Sequence, residues 1–225
     1  QWLKDHGALI GRSLDVPYDY DRKFVLIDDA AGKKLDQALE FLQSGDNGQW
    51  RNIYTAVMDT FDHQRKMFLL ESMKARAAVP IIKEHLALGR KVLVVHDYNM
   101  GGGFNPFSEA LKDMDPALRP AARELFQRPL FRINFSGLDS ALNTLLAAFP
   151  NALTFNGTVP KAKRRANADK FNDDLTGPNL LIAQSDAMRE GVSVHDTSGK
   201  HQRIELNLGL PTQPTKAIQL EGRIY

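Results

Sequence analysis

The spacing of apolar positions along the chain changes character near Gly89. Across residues 33–88 apolar side chains return every three or four positions, at Leu35, Ala38, Leu39 and Leu42 and again at Val57, Phe61, Phe68 and Met73. That is the signature of helices with one buried face. Pro80 falls inside the last of them and predicts a kink or a new helix start. Upstream, residues 8–10 and 24–27 read as strands separated by the turn-prone Asp15-Val-Pro-Tyr-Asp19. Beyond Gly89, four short apolar runs at 92–95, 152–155, 180–183 and 204–208 alternate with helical stretches. Such alternation is what a parallel sheet covered on both faces requires. The clearest helix spans 138–149, with apolar residues on one face and Ser136 and Asp139 placed as a capping box. Residues 98–132, containing Gly101-Gly-Gly103 and Asp113-Met-Asp-Pro116, read as an insertion between the first strand of the sheet and that helix.

Composition narrows the class. With 225 residues, 43% of them hydrophobic, the chain can bury a sizeable core in one large domain, or in one domain with an appended piece. The formal charge is +2, from 29 basic and 27 acidic residues, so any nucleic-acid footprint must be local. The absence of cysteine excludes disulfides, thiolate nucleophiles and cysteine-ligated zinc, and fits a cytoplasmic protein. No run approaches the roughly 18 apolar residues that span a bilayer, and the N-terminal residues lack the order of a signal peptide, so no membrane partner is expected. The chain begins at Gln1 and is expected to be cut from something larger.

In an open parallel sheet, ligands meet the carboxyl ends of the strands, where loops converge. The candidate positions are therefore His96, Asp97, Tyr98 and Asn99, then Asn156, Gly157 and Thr158, then Gln184, Ser185 and Asp186. Polar loops alone are common at such an edge and do not specify a chemistry.

Four segments in order add to this. Lys91-Val-Leu-Val-Val-His-Asp97 is similar to motif IV of a superfamily 2 helicase, and Phe155-Asn-Gly-Thr158 to the segment called IVa. Ser185-Asp-Ala-Met-Arg-Glu-Gly-Val-Ser193 resembles motif V, and Gln219-Leu-Glu-Gly-Arg223 resembles motif VI. The chain stops one residue before the second arginine of the Gln-x-x-Gly-Arg-x-x-Arg pattern. The wording is closest to the strawberry-notch-like or Snf2-like bacterial and phage helicases. The resemblance implies an α/β fold, a RecA-like parallel sheet with helices on both faces, preceded by a mainly helical connecting segment. Residues 1–73 would be the trailing edge of a first RecA-like domain plus that connection, and 74–225 the second RecA-like domain.

Roles follow from the same resemblance. Arg223 would be an arginine finger reaching the γ-phosphate of ATP, oriented by Gln219. Gly191 and Gly222 would allow close backbone approach to the nucleotide. Asn99, Gly157, Thr158 and Ser185 would contact the sugar-phosphate backbone of a strand, with Lys163 and Arg164 gripping phosphate. Asp186 would brace its loop. Glu190 and Ser193 depart from the DEAD-box pattern, so adenosine contacts from this domain are not implied. Neither Gly-x-x-x-x-Gly-Lys-Ser/Thr nor a Walker-type Asp-Glu strand end occurs. ATP and Mg2+ would accordingly be held by the missing first RecA-like domain, and this chain would not hydrolyse ATP alone. The partner expected is DNA in preference to RNA.

Several features carry a plainer reading. Lys161-Ala-Lys-Arg-Arg165 also fits a solvated basic face. His96 and Asp97 lack a third ligand at metal spacing, so no metal site is assigned. Gly101-Gly-Gly103 reads as a hinge, and Trp2 and Trp50 as core or interface aromatics. The alternatives that remain are a catalytically silent RecA-like module binding nucleic acid or protein, and an unrelated doubly wound enzyme with its pocket complete within this chain.

Overall fold

The computed structural model of the chain describes residues 21, 23–45, 48–188, 192–196 and 198–209. Helix α1, Ala30–Ser44, begins where the Asp29 carboxylate accepts the amides of Ala31 at 2.9 Å and Gly32 at 3.0 Å. Leu35, Ala38 and Leu42 are its buried stripe. Helix α2, Arg51–Thr60, buries Ile53 and Val57, and helix α3, His63–Ala87, is capped by Asp62. Pro80 lies within α3, which runs on past it as one 25-residue helix.

Strand β1, Lys91–His96, is buried along its whole length. After it come α4, Pro106–Asp113, α5, Arg119–Phe126, and a 3-10 turn, Pro129–Phe131. Then follow α6, Ala141–Ala148, β2, Leu153–Phe155, α7, Lys161–Asn172, and β3, Leu180–Gln184. A single turn, α8, Ser185–Met188, leads toward β4, Arg203–Asn207.

The four strands form one all-parallel sheet in the order β2-β3-β1-β4. On one face Val92, Val94 and Ile182 pack against Ala75, Ala78 and Ile82 of α3 and Ala141 and Leu145 of α6. On the other, Leu93, Val95, Leu181 and Ala183 pack against Ala168 and Phe171 of α7 and Met188 of α8. This is the expected α/β fold: a parallel sheet with helices on both faces, preceded by a mainly helical segment, as in a RecA-like domain.

A third core lies off the sheet. Leu35, Leu42, Val57 and Leu69 from α1, α2 and the first half of α3 bury against Phe107, Leu125 and Phe131, which come from beyond β1. The helical segment is thus completed by the stretch between β1 and α6, and α3 belongs to both bodies. Trp50 packs on the rim of this core.

Three expectations are corrected. Residues 24–27 form no strand, and Phe24, Val25 and Leu26 are exposed, Leu26 at 95%. A β-prone run becomes a strand only where a neighbour accepts its ladder, and among the described residues none adjoins it. The cap of α6 is Ser140, which accepts the amide of Asn143 at 3.2 Å, while Ser136 lies outside the helix. The glycine triplet is close-packed rather than an open hinge. A Cβ on Gly101 would meet the Phe68 ring at 2.9 Å, and Gly101 and Gly102 hold φ of 128° and 144°. Residues 8–10, the turn at 15–19 and Trp2 lie outside the described residues.

Candidate functional site at the carboxyl edge of the sheet

Parallel strands end together, so the loops after β1, β2 and β3 share one edge. There the side chain of Gln184, the last residue of β3, joins all three. Its Oε1 accepts from Asn99 Nδ2 at 2.8 Å and from the Gly157 amide at 3.1 Å, and its Nε2 donates to the Asp97 carbonyl at 3.1 Å. Ser185, at the start of α8, donates its hydroxyl to Asp97 Oδ1 at 2.5 Å. The Thr158 hydroxyl and amide both donate to Asn156 Oδ1, at 2.7 and 3.0 Å.

Helix α3 supports this edge from one side. Glu71, buried at 5% exposure, accepts the amides of Asp97 at 2.6 Å and Tyr98 at 3.0 Å. One turn on, Lys74 donates to the Leu208 carbonyl at 2.8 Å and so holds the end of β4. Burial raises the Glu71 carboxyl above the usual range, and the nearby Asp97 charge adds to this, although the two amides pull the other way. Gly209 lies against the Asp97 carboxylate, where any side chain would collide.

His96 is fully buried, and burial holds its imidazole below the ordinary value. Its ring Nδ1 lies 3.1 Å from the Tyr98 carbonyl. His96 Nε2 and Asn99 Oδ1 are both buried with no hydrogen-bond partner among the described residues.

The structure therefore brings Asn99, Gly157, Thr158 and Ser185 to one edge. The basic run on α7 divides. Lys163 is exposed with Lys161 and Arg165, whereas the Arg164 guanidinium turns inward over the Phe155 ring, 5.8 Å from its centroid, and donates to the Val159 carbonyl at 2.8 Å. No protein-family model matches the chain, and no curated protein matches it. Gly191, Gln219, Gly222 and Arg223 lie outside the described residues, as does Glu190.

Sequence reasoning missed Glu71 and Lys74. Glu71 falls in line with Ala75, Ala78 and Ile82, the stripe that α3 turns toward the sheet. A carboxylate at a buried stripe position was the available signal. Among the described residues no group of three or more histidine or acidic side chains is placed to hold a metal ion, and no helix is long and apolar enough to cross a membrane.

Proposed function

We infer that the chain is the second motor domain of an ATP-dependent nucleic-acid helicase or translocase, working in the cytoplasm on DNA in preference to RNA. It supplies the arginine-finger side of an ATP cleft and part of a strand-binding surface. The observation that carries this reading is the Gln184 junction, which locks the loops after three adjacent parallel strands into one polar edge. Such an edge is where parallel α/β sheets meet phosphorylated ligands, and Asp97, Gly157 and Ser185 at this edge belong to three of the helicase-like segments.

The chemistry asked of this domain is positioning. A guanidinium at Arg223, aimed across the cleft, would stabilise charge developing on the transferred phosphoryl group. Phosphates and Mg2+ would be bound by the opposing RecA-like domain. Strand contacts through Asn99, Gly157, Thr158, Ser185 and Lys163 would be to backbone, which suits a motor indifferent to sequence.

One observation favours a second reading, a silent RecA-like binding module. The hydroxyls of Ser185 and Thr158 already donate to Asp97 and Asn156, and each must let go of its internal acceptor before it can donate to a phosphate. The deciding test is nucleic-acid-stimulated ATP hydrolysis by a polypeptide carrying both RecA-like domains. Arg223→Ala is expected to leave ATP binding nearly unchanged and to lower turnover by about 10³-fold. Absence of stimulation, or a variant that turns over like wild type, favours the silent module.

A further inference from the structure

The segment between β1 and α6 has its own concentration of charge. From Arg119 to Arg132 there are four arginines and a single acid, Glu124, in a chain whose total is only +2. Three of these arginines lie on or just after the last turn of α5, whose C-cap is Gln127. Arg132 donates to the Gln127 carbonyl at 2.9 Å, Arg128 is the next residue and stacks 5.8 Å from the Trp50 ring centroid, and Arg123 lies one turn back. Arg119 donates to the carbonyls of Met114 at 2.7 Å and Lys112 at 3.2 Å, which uses two of its donors and leaves its charge uncancelled.

Arg123 also lines an open cleft of about 300 Å³ between α4 and α5. Apolar and aromatic Phe107, Leu111, Phe126 and Phe131 line it together with polar Ser108, Arg123 and Gln127. Phe126 is only partly buried, and its ring is braced at 5.1 Å by Phe107 and 5.3 Å by Phe131. Glu124, next to Arg123 on α5, offsets one of the four arginine charges, and the acids of α4 face elsewhere. Glu109 is paired with Lys112 at 2.7 Å, and helical spacing sets Glu109 and Asp113 on the face of α4 opposite Leu111.

An aromatic-lined cleft with Arg123 in its wall and the exposed Arg128 and Arg132 next along the chain suits one chemistry: a base laid on the ring and phosphodiesters on the arginines. We propose that the α4–α5 cleft and Arg123, Arg128 and Arg132 bind a single strand of nucleic acid. The proposal deepens the motor reading, on which it rests, by adding a strand-binding surface that shares no residue with the Gln184 junction. The cleft has room for one splayed base, whereas the stacked bases of a duplex cannot enter it.

The test is fluorescence anisotropy of the 225-residue chain with labelled oligothymidylate, oligouridylate and a DNA duplex across a salt series. Single strands should bind more tightly than the duplex, and the two oligonucleotides separate DNA from RNA. Arg123→Glu combined with Arg128→Glu should weaken binding at least about 10-fold at low salt and lower the log–log salt slope by about 0.7 for each phosphate no longer neutralised. Phe126→Leu should weaken it about five-fold or more with the slope unchanged. Photo-crosslinking of a halogenated oligonucleotide to wild type, mapped to residues 105–131, checks the site without a variant. Equal affinity for duplex, arginine variants that bind like wild type, or crosslinks confined elsewhere would overturn the proposal. If Lys163→Glu alone removes binding while the arginine variant keeps it, the cleft falls and the motor reading stands. If the cleft binds a strand but ATP hydrolysis ignores nucleic acid, the motor reading falls and the cleft stands.

Discussion

Glu71 and Asp97 meet at 2.6 Å, the buried carboxylate of α3 accepting the backbone amide at the end of β1. The same carboxylate takes the Tyr98 amide, so removing it leaves two donors in a poorly hydrated place. Glu71→Ala is expected to cost about 2–4 kcal/mol, since each buried group left unpaired costs about 1–3 kcal/mol. Glu71→Gln, which keeps one acceptor, should cost roughly half. Urea denaturation measures both, and an alanine variant with an unchanged midpoint would contradict the role.

At the opposite edge of the sheet, one carboxylate serves two buried cations. Asp174 lies 3.6 Å from Lys91 Nζ and 3.3 Å from Arg203 Nη2. The Lys91 ammonium also donates to the carbonyls of Phe171 and Asp173, at 2.5 and 2.7 Å. Breaking a buried ion pair from one side strands the remaining charge, at about 3–5 kcal/mol. Asp174→Ala should therefore destabilise more than Lys91→Met, which leaves Asp174 its arginine. Equal losses in thermal or urea unfolding would count against the cluster.

His96 gives a pH dependence with a definite sign. Burial depresses its pKa in the folded chain below the ordinary 6.5, with the Tyr98 carbonyl and the Asp97 charge opposing only in part. Between the two values the unfolded chain binds more protons, so the stability contribution is complete above about pH 6.5 and is lost as pH falls. The slope cannot exceed about 1.4 kcal/mol per pH unit for one proton. Denaturation at pH 7.5 and 5.5 should show wild type losing more stability than His96→Asn.

Two neighbours on α7 should behave oppositely. Arg164→Ala removes a guanidinium seated on Phe155 and bonded to the Val159 carbonyl, and should lower stability by about 1–3 kcal/mol. Exposed Lys163→Ala should leave the unfolding midpoint alone. On the motor reading it should weaken strand binding mainly at low salt. Anisotropy and thermal melts on the same two samples separate these effects.

How much was legible follows from where each signal resides. The runs at 92–95 and 180–183 announced β1 and β3 because fully buried strands carry uninterrupted apolar residues. The run at 24–27 carried the same signal and formed no strand, because pairing depends on a neighbour that local sequence does not specify. The loops at Asn99, Gly157 and Ser185 were legible from strand ends alone, but Gln184 as their junction was not, since one amide reaching three loops is a property of register. The same limit hid the third core. Nothing near Phe107 or Phe131 says that their partners are Leu35 and Leu42, because packing between distant segments leaves no periodicity.

The strand order β2-β3-β1-β4 also sets a timetable for folding. β1 lies between β3 and β4, yet roughly 90 residues separate Val92 from its partner Leu180, and Arg203 of β4 is made later still. During synthesis the Val92-Leu-Val-Val95 run leaves the ribosome with both hydrogen-bonding edges open and must wait for partners of high sequence separation. Such a run is a template for misassociation. The helices made in that interval, α4 to α7, include α6, which covers one face of the strand before its neighbours arrive. Nascent chains halted before β3 should accordingly be the ones that engage chaperones.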